Sequence, residues 1–145
     1  MARGQKIKSG TVKVDGLREL NRALRKLGPE SQKELKEASR KVASFVAADA
    51  RSAAIGLGGV AAKSAPSISA VGGVSGAGVA FGGARYPFAG GAEFGSIRYR
   101  QFKPWRGNGP DAGYFVYPSI RRDADRIVTE FTDAVDKVIE RNFPL

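Results

Sequence analysis

The stretch PESQKELKEASRKVASFVAADARSAAI, residues Pro29–Ile55, decides the fold class. Leu35, Ala38, Val42, Phe45, Val46 and Asp49 recur at the spacing of one helical face. Lys33, Lys36, Glu37, Arg40 and Lys41 occupy the opposite face. Pro29 suits a first helical position, where a backbone N–H has no partner to lose, and Gly56 ends the run. From Val42 onward the helix turns alanine-rich, with Ala47 and Ala50 among its small residues. Such a surface packs closely against another helix or another subunit.

Working outward, Asp15 is a plausible N-cap for an earlier helix, with Leu17, Leu20, Leu24 and Leu27 on one side and Gly28-Pro29 as its stop. Residues 1–14 are a basic arm in which Ile7, Val12 and Val14 read either as an edge strand or as part of a solvated tail. Downstream, residues 56–84 carry one charge, Lys63. Ser67–Val71 and Val74–Phe81 look β-like, and Gly72-Gly73 between them suits a hairpin turn. Three readings stand for this segment: a linker, a ligand-cradling loop, or a hairpin that becomes firm against a neighbouring subunit. The last makes Ile68, Val71, Val74, Val79 and Phe81, with Ala47 and Ala50, candidate subunit-interface residues. Residues 85–117 are aromatic and turn-rich, and Gly113–Tyr117 reads as a strand. Pro118 to about Asn142 reads as a third helix with Ile120, Ile127, Phe131, Val135, Val138 and Ile139 inward. The expected fold is α+β: an N-terminal helix pair, a small antiparallel sheet with a Gly-rich hairpin, and a long C-terminal helix, all in one domain of 145 residues.

Composition excludes much chemistry. The chain holds no Cys and no His, which removes disulfides, thiolate nucleophiles, Cys/His metal sites and His-based catalysis. No cofactor is expected. Gly is abundant, at 19 residues, and Lys plus Arg (24) outnumber Asp plus Glu (14), for a net charge of +10. That surplus favours a polyanionic partner or acidic neighbours. It is spread along the chain: +7 in residues 1–51, +4 in 52–120 and −1 in 121–145, so no basic recognition helix stands out. The charge-free run Ser64–Ala84 is long enough to span a bilayer, but six Gly, four Ser and a Pro argue against a membrane helix. The N-terminus has no apolar signal region.

Four local patterns invite a functional reading. Gly56-Leu57-Gly58-Gly59-Val60-Ala61 matches a dinucleotide-loop pattern, but it follows a helix rather than a strand and is a chance match. Asp133, Asp136 and Glu140 share a face of the last helix, as a Mg²⁺ site or as a solvated face pairing with Arg126, Lys137 and Arg141. Glu93 is the only acid between Asp49 and Asp111. It reads as an ion-pairing or backbone-capping residue, or as a lone general acid or base. Arg98, Tyr99, Arg100, Phe102, Lys103, Trp105 and Arg106 interleave bases with aromatics. That pattern either stacks and neutralises single-stranded nucleic acid, or plugs the core with Phe102 and Trp105 while the bases stay wet.

The order of these elements carries a resemblance. An early Val14-Asp15-Gly16-Leu17-Arg18-Glu19-Leu20 helix precedes a long charged helix and a Gly-rich hairpin. Then come Ala92-Glu93-Phe94-Gly95, Gln101-Phe102-Lys103-Pro104-Trp105 and Tyr114-Phe115-Val116-Tyr117-Pro118-Ser119-Ile120-Arg121. Over residues 12–143 the chain resembles the neck, or tail-completion (head–tail joining), proteins of long-tailed bacteriophages. The resemblance implies a non-enzymatic virion subunit, assembled in the host cytoplasm. It would form a ring, preferably six-fold with twelve-fold as the alternative, in the head-to-tail connector around the DNA channel. The partners implied are copies of itself, neighbouring connector, tail-terminator and tail-tube proteins, and packaged double-stranded DNA, with no membrane. Glu93, Gly95, Phe102, Trp105, Tyr117 and Pro118 are the motif residues. Arg3, Lys6, Lys8, Arg98, Arg100, Lys103 and Arg106 are candidate contacts to DNA or acidic neighbours. The alternative is a small nucleic-acid-binding protein using Arg98–Arg106. A carboxylate enzyme working through Glu93 or the last helix stands third.

Overall fold

The computed structural model describes residues 28–73 and 76–143, with Glu19, Arg22 and Lys26 besides. Glu19 and Arg22 are helical. The leucine stripe, the Asp15 cap, the 1–14 arm and Val74 lie outside the described residues. Helix α1, Pro29–Leu57, is the spine of the chain. Its Leu35, Ala38, Val42 and Val46 stripe is buried as the spacing requires, widened by Ala43, Ala47, Ala50 and Ala54. The helix stops at Gly58, two residues beyond the expected Gly56. Gly58 and Gly59 take positive φ (70° and 54°), which turns the chain into the short helix α2, Gly59–Ser64.

The Gly-rich segment is a hairpin seated on α1. Strand β1, Ser69–Gly73, pairs antiparallel with β2, Gly76–Ala80, with Ser69 opposite Ala80 and Gly73 opposite Gly76. Gly72 and Gly73 are therefore ladder residues rather than the turn. A Cβ on Gly72 would stand 2.8 Å from the Arg40 Cα, so glycine is what lets the strand backbone rest on the helix. A two-stranded ribbon is marginal alone, and α1 supplies its second layer. Its base is tied by Ser67, whose hydroxyl donates to the Ser64 carbonyl (2.7 Å) and accepts the Gly82 N–H (3.0 Å). Arg51 Nε also donates to the Ile68 carbonyl at 3.0 Å.

The consequence corrects the expected interface. Ile68, Val79, Phe81, Ala47 and Ala50 lie in the chain's own core and present nothing to a neighbour. Phe81 packs against Phe94 and Phe115, with ring centroids 6.3 and 6.4 Å away. Of that set only Val71, 51% exposed, faces outward among the described residues.

The C-terminal third differs from expectation in two places. Gly113–Tyr117 is not a strand: a loop leads directly into helix α4, Val116–Arg122. The single helix expected from Pro118 is broken at Asp123, where α5, Ala124–Asn142, begins. Helix α5 runs antiparallel along the first half of α1, as contacts at both ends record: Arg141–Glu34 at 2.9 Å, Lys41–Glu130 at 3.1 Å and Asn142 Nδ2 to Ser31 Oγ at 3.2 Å. Ile127, Phe131, Ala134 and Val138 form its buried face. Ile139 was expected inside and is 48% exposed. The architecture is α+β, a small antiparallel sheet and several helices packed on one long helix.

Candidate functional site

Short helix α3, Ala89–Phe94, ends at Glu93-Phe94-Gly95, and three distant segments converge there. Glu93 is completely buried. Its Oε1 accepts the backbone N–H groups of Tyr114 (3.1 Å), Phe115 (2.8 Å) and Val116 (3.0 Å), and its Oε2 accepts that of Tyr117 (2.8 Å). They run from just before α4, whose N-cap is Phe115, into its first turn, where amides have no partner within a helix. One carboxylate satisfies all four, and their dipoles in turn offset the cost of burying it. Those amides are thereby withdrawn from any β-ladder, which is why Gly113–Tyr117 is not a strand. Of the alternatives for Glu93, backbone capping matches the geometry, and it makes no ion pair among the described residues.

The glycines beside it are spatial requirements. A Cβ on Gly113 (φ 86°) would collide with Glu93 Oε2, and one on Gly95 (φ 78°) with the Pro104 carbonyl. A Cβ on Gly91 would stand 2.6 Å from the Phe102 ring. Phe94 packs on Tyr117 (5.5 Å between centroids) and on Trp105 (6.4 Å). Burial, and then the Glu93 charge, push the Tyr117 phenol above its ordinary value of 10.0.

This clamp holds the loop 96–112. Ser96 N–H donates to the Lys103 carbonyl (2.9 Å), Arg106 N–H to the Phe94 carbonyl and Gly113 N–H to the Arg106 carbonyl (2.7 Å). Tyr114 Oη donates to the Pro104 carbonyl at 2.7 Å. Ser96 Oγ accepts the N–H groups of Arg98 and Tyr99, forming a tight turn at the tip. The loop displays Ile97 (90% exposed), Tyr99 (55%) and Trp105 (49%), with Arg98, Arg100, Lys103 and Arg106 exposed around them. Arg106 lies over the Tyr114 ring at 4.5 Å. Phe102 is half-buried on α3, so it is the part of the aromatic set that acts as a plug. The structure brings Glu93, Gly95, Phe102, Trp105 and Tyr117 together, and Pro118 follows within α4. Arg3, Lys6 and Lys8 lie outside the described residues.

Four acids of the last helix border α1. Glu34, Glu37, Glu130, Asp133, Asp136 and Glu140 line a groove of about 510 Å³, with Lys41 and Lys137 at its edges and Ala38 and Ala134 on its floor. Among the described residues no three His, Cys, Asp or Glu side chains are placed to hold a metal. The charge pairing differs from the expected intrahelical one: Glu130 and Glu34 take partners across the groove, and Arg126 lies 4.0 Å from the Phe45 ring centroid. The sequence does not announce one further pair. Asp123, at the α4–α5 break, meets Asp49 of α1; burial, a hydrogen bond with Asp49 and that residue's charge push Asp123 up to about 6, against the pull of Arg126 and Arg122. A carboxylate on the apolar stripe of α1 was the available signal for it.

Among the described residues no helix is long and apolar enough to cross a membrane. No known protein family, no curated protein and no solved structure matches this chain.

Proposed function

We propose that this chain is a non-enzymatic structural subunit of the bacteriophage head-to-tail connector, forming a ring that joins the capsid portal complex to the tail tube around the DNA channel. The observation that carries the reading is the convergence of its motif segments. Ala92–Gly95, Gln101–Trp105 and Tyr114–Arg121 are separate in sequence, yet Glu93, Phe94 and Gly95 bind the other two directly. The segments that carry the family resemblance thus form one clamp, and its product is a firmly held, exposed loop. That suits a protein whose work is contact with neighbours. The test is the mass of the purified full chain by light scattering, followed by its addition to particles lacking it. A ring of six or more subunits, or completion of those particles, is the expected result. A chain that does neither overturns the reading.

The exposed Arg98–Arg106 segment favours a second reading, a monomeric or dimeric nucleic-acid-binding protein. That reading requires steeply salt-dependent binding to free DNA with no ring formed.

A further inference from the structure

We propose that copies of this chain join head to tail, the loop 96–112 of one copy seating in the acidic groove between α1 and α5 of the next. The inference rests on the reading of the chain as a self-assembling subunit and names the contact that would build the assembly.

The loop has the composition of an interface anchor. It presents Tyr99 and Trp105 with four cationic residues against one acid, Asp111. Backbone bonds at Ser96, Phe94, Arg106 and Gly113 already hold it, so docking costs little ordering entropy. Ile97 at its tip is among the most exposed apolar side chains described. The groove is complementary in charge. On a chain of net charge +10 it gathers six carboxylates; Lys41 and Arg141 pair with two of them, Glu130 and Glu34, and with Lys137 also lining it the groove still keeps an acidic excess.

The two surfaces cannot meet within one molecule. The groove lies along Glu34–Lys41, near the start of α1, while Phe102 and its loop pack beside Leu57–Ala61, past the end of that helix. About 24 Å of helix separates Lys41 from Leu57 at 1.5 Å per residue. Two complementary patches far apart on one rigid spine make a heterologous contact, which closes into rings or runs into filaments. A nucleic acid would satisfy the loop but would be repelled by the groove; a second copy uses both.

The test is light scattering of the full chain against concentration in low salt. One variant carries Arg98→Glu with Arg100→Glu, another Asp133→Lys with Asp136→Lys, and a third all four changes. Each reversal alone is expected to weaken association on the order of 100-fold, and the combination to restore it to within about tenfold. All four positions are exposed, and restoration by the combined variant is something misfolding cannot produce. A wild-type chain that assembles regardless of either reversal overturns this contact and leaves the ring reading standing. A groove reversal without effect, beside a loop reversal that abolishes DNA binding, overturns it in favour of a nucleic-acid site. A wild-type chain that stays monomeric at every concentration also overturns the contact, and completion of deficient particles then decides the ring reading separately.

Discussion

Glu93 shows how much one side chain can organise. Four amides from Tyr114 to Tyr117 end on its two oxygens in a fully buried setting. Glu93→Gln keeps the shape but turns one acceptor oxygen into an NH₂ facing an N–H. Charge-assisted bonds are lost and at least one buried donor is orphaned, so the expected cost is about 3 kcal/mol in urea unfolding. Asp123 makes the opposite kind of statement. Its pKa lies well above its ordinary 3.8, at about 6, so the folded chain binds a proton that the unfolded chain has released. Its contribution is fully present below about 3.8 and is lost as pH rises through about 6. Stability therefore falls over that window through this group. Asp123→Asn should flatten the fall and raise the melting temperature at neutral pH, measured by thermal unfolding across a pH series.

At the scale of elements, the hairpin and α1 are fitted backbone to side. The contact depends on the missing side chain of Gly72, because a Cβ there meets the Arg40 backbone, which cannot swing aside. Gly72→Ala should lift β1 from the helix, cost about 1–3 kcal/mol and speed hydrogen exchange of the β-ladder amides. Gly90→Ala is the matched control. Its Cβ would meet nothing within 4 Å and it lies in α3, so it should be neutral or stabilise by about 0.4–1 kcal/mol. A hairpin that became firm only on a neighbouring subunit would show rapid ladder exchange in both chains.

At the scale of the molecule, one acidic patch stands apart from the cationic loop along α1. The carboxylate-rich groove lies beside its first half, and the cationic aromatic loop packs near its end. Interactions between such surfaces are screened over roughly 10 Å at 0.1 M salt. Self-association of the full chain should therefore weaken steeply between about 0.05 and about 0.5 M NaCl in sedimentation or light scattering, with its urea midpoint little changed.

The sequence by itself determined the spine. Leu35, Ala38, Val42 and Val46 stand three and four residues apart, and that local period needs no distant partner to be read. It also carried the absence of His and Cys and the Gly-rich hairpin of the expected α+β fold. Tertiary structure decided the rest, because the deciding contacts span long stretches of chain. Glu93 caps amides 21 to 24 residues away, and that bond turned an apolar, aromatic Gly113–Tyr117 from strand into helix entry. Hydrophobicity at Ile68, Val79 and Phe81 said that they are buried but not against what, and α1 and the Phe94 and Phe115 rings proved to cover them from within the same chain. Asp133, Asp136 and Glu140 are exposed, as a solvated face requires, but only the packing of α5 beside Glu34 and Glu37 puts them on one groove.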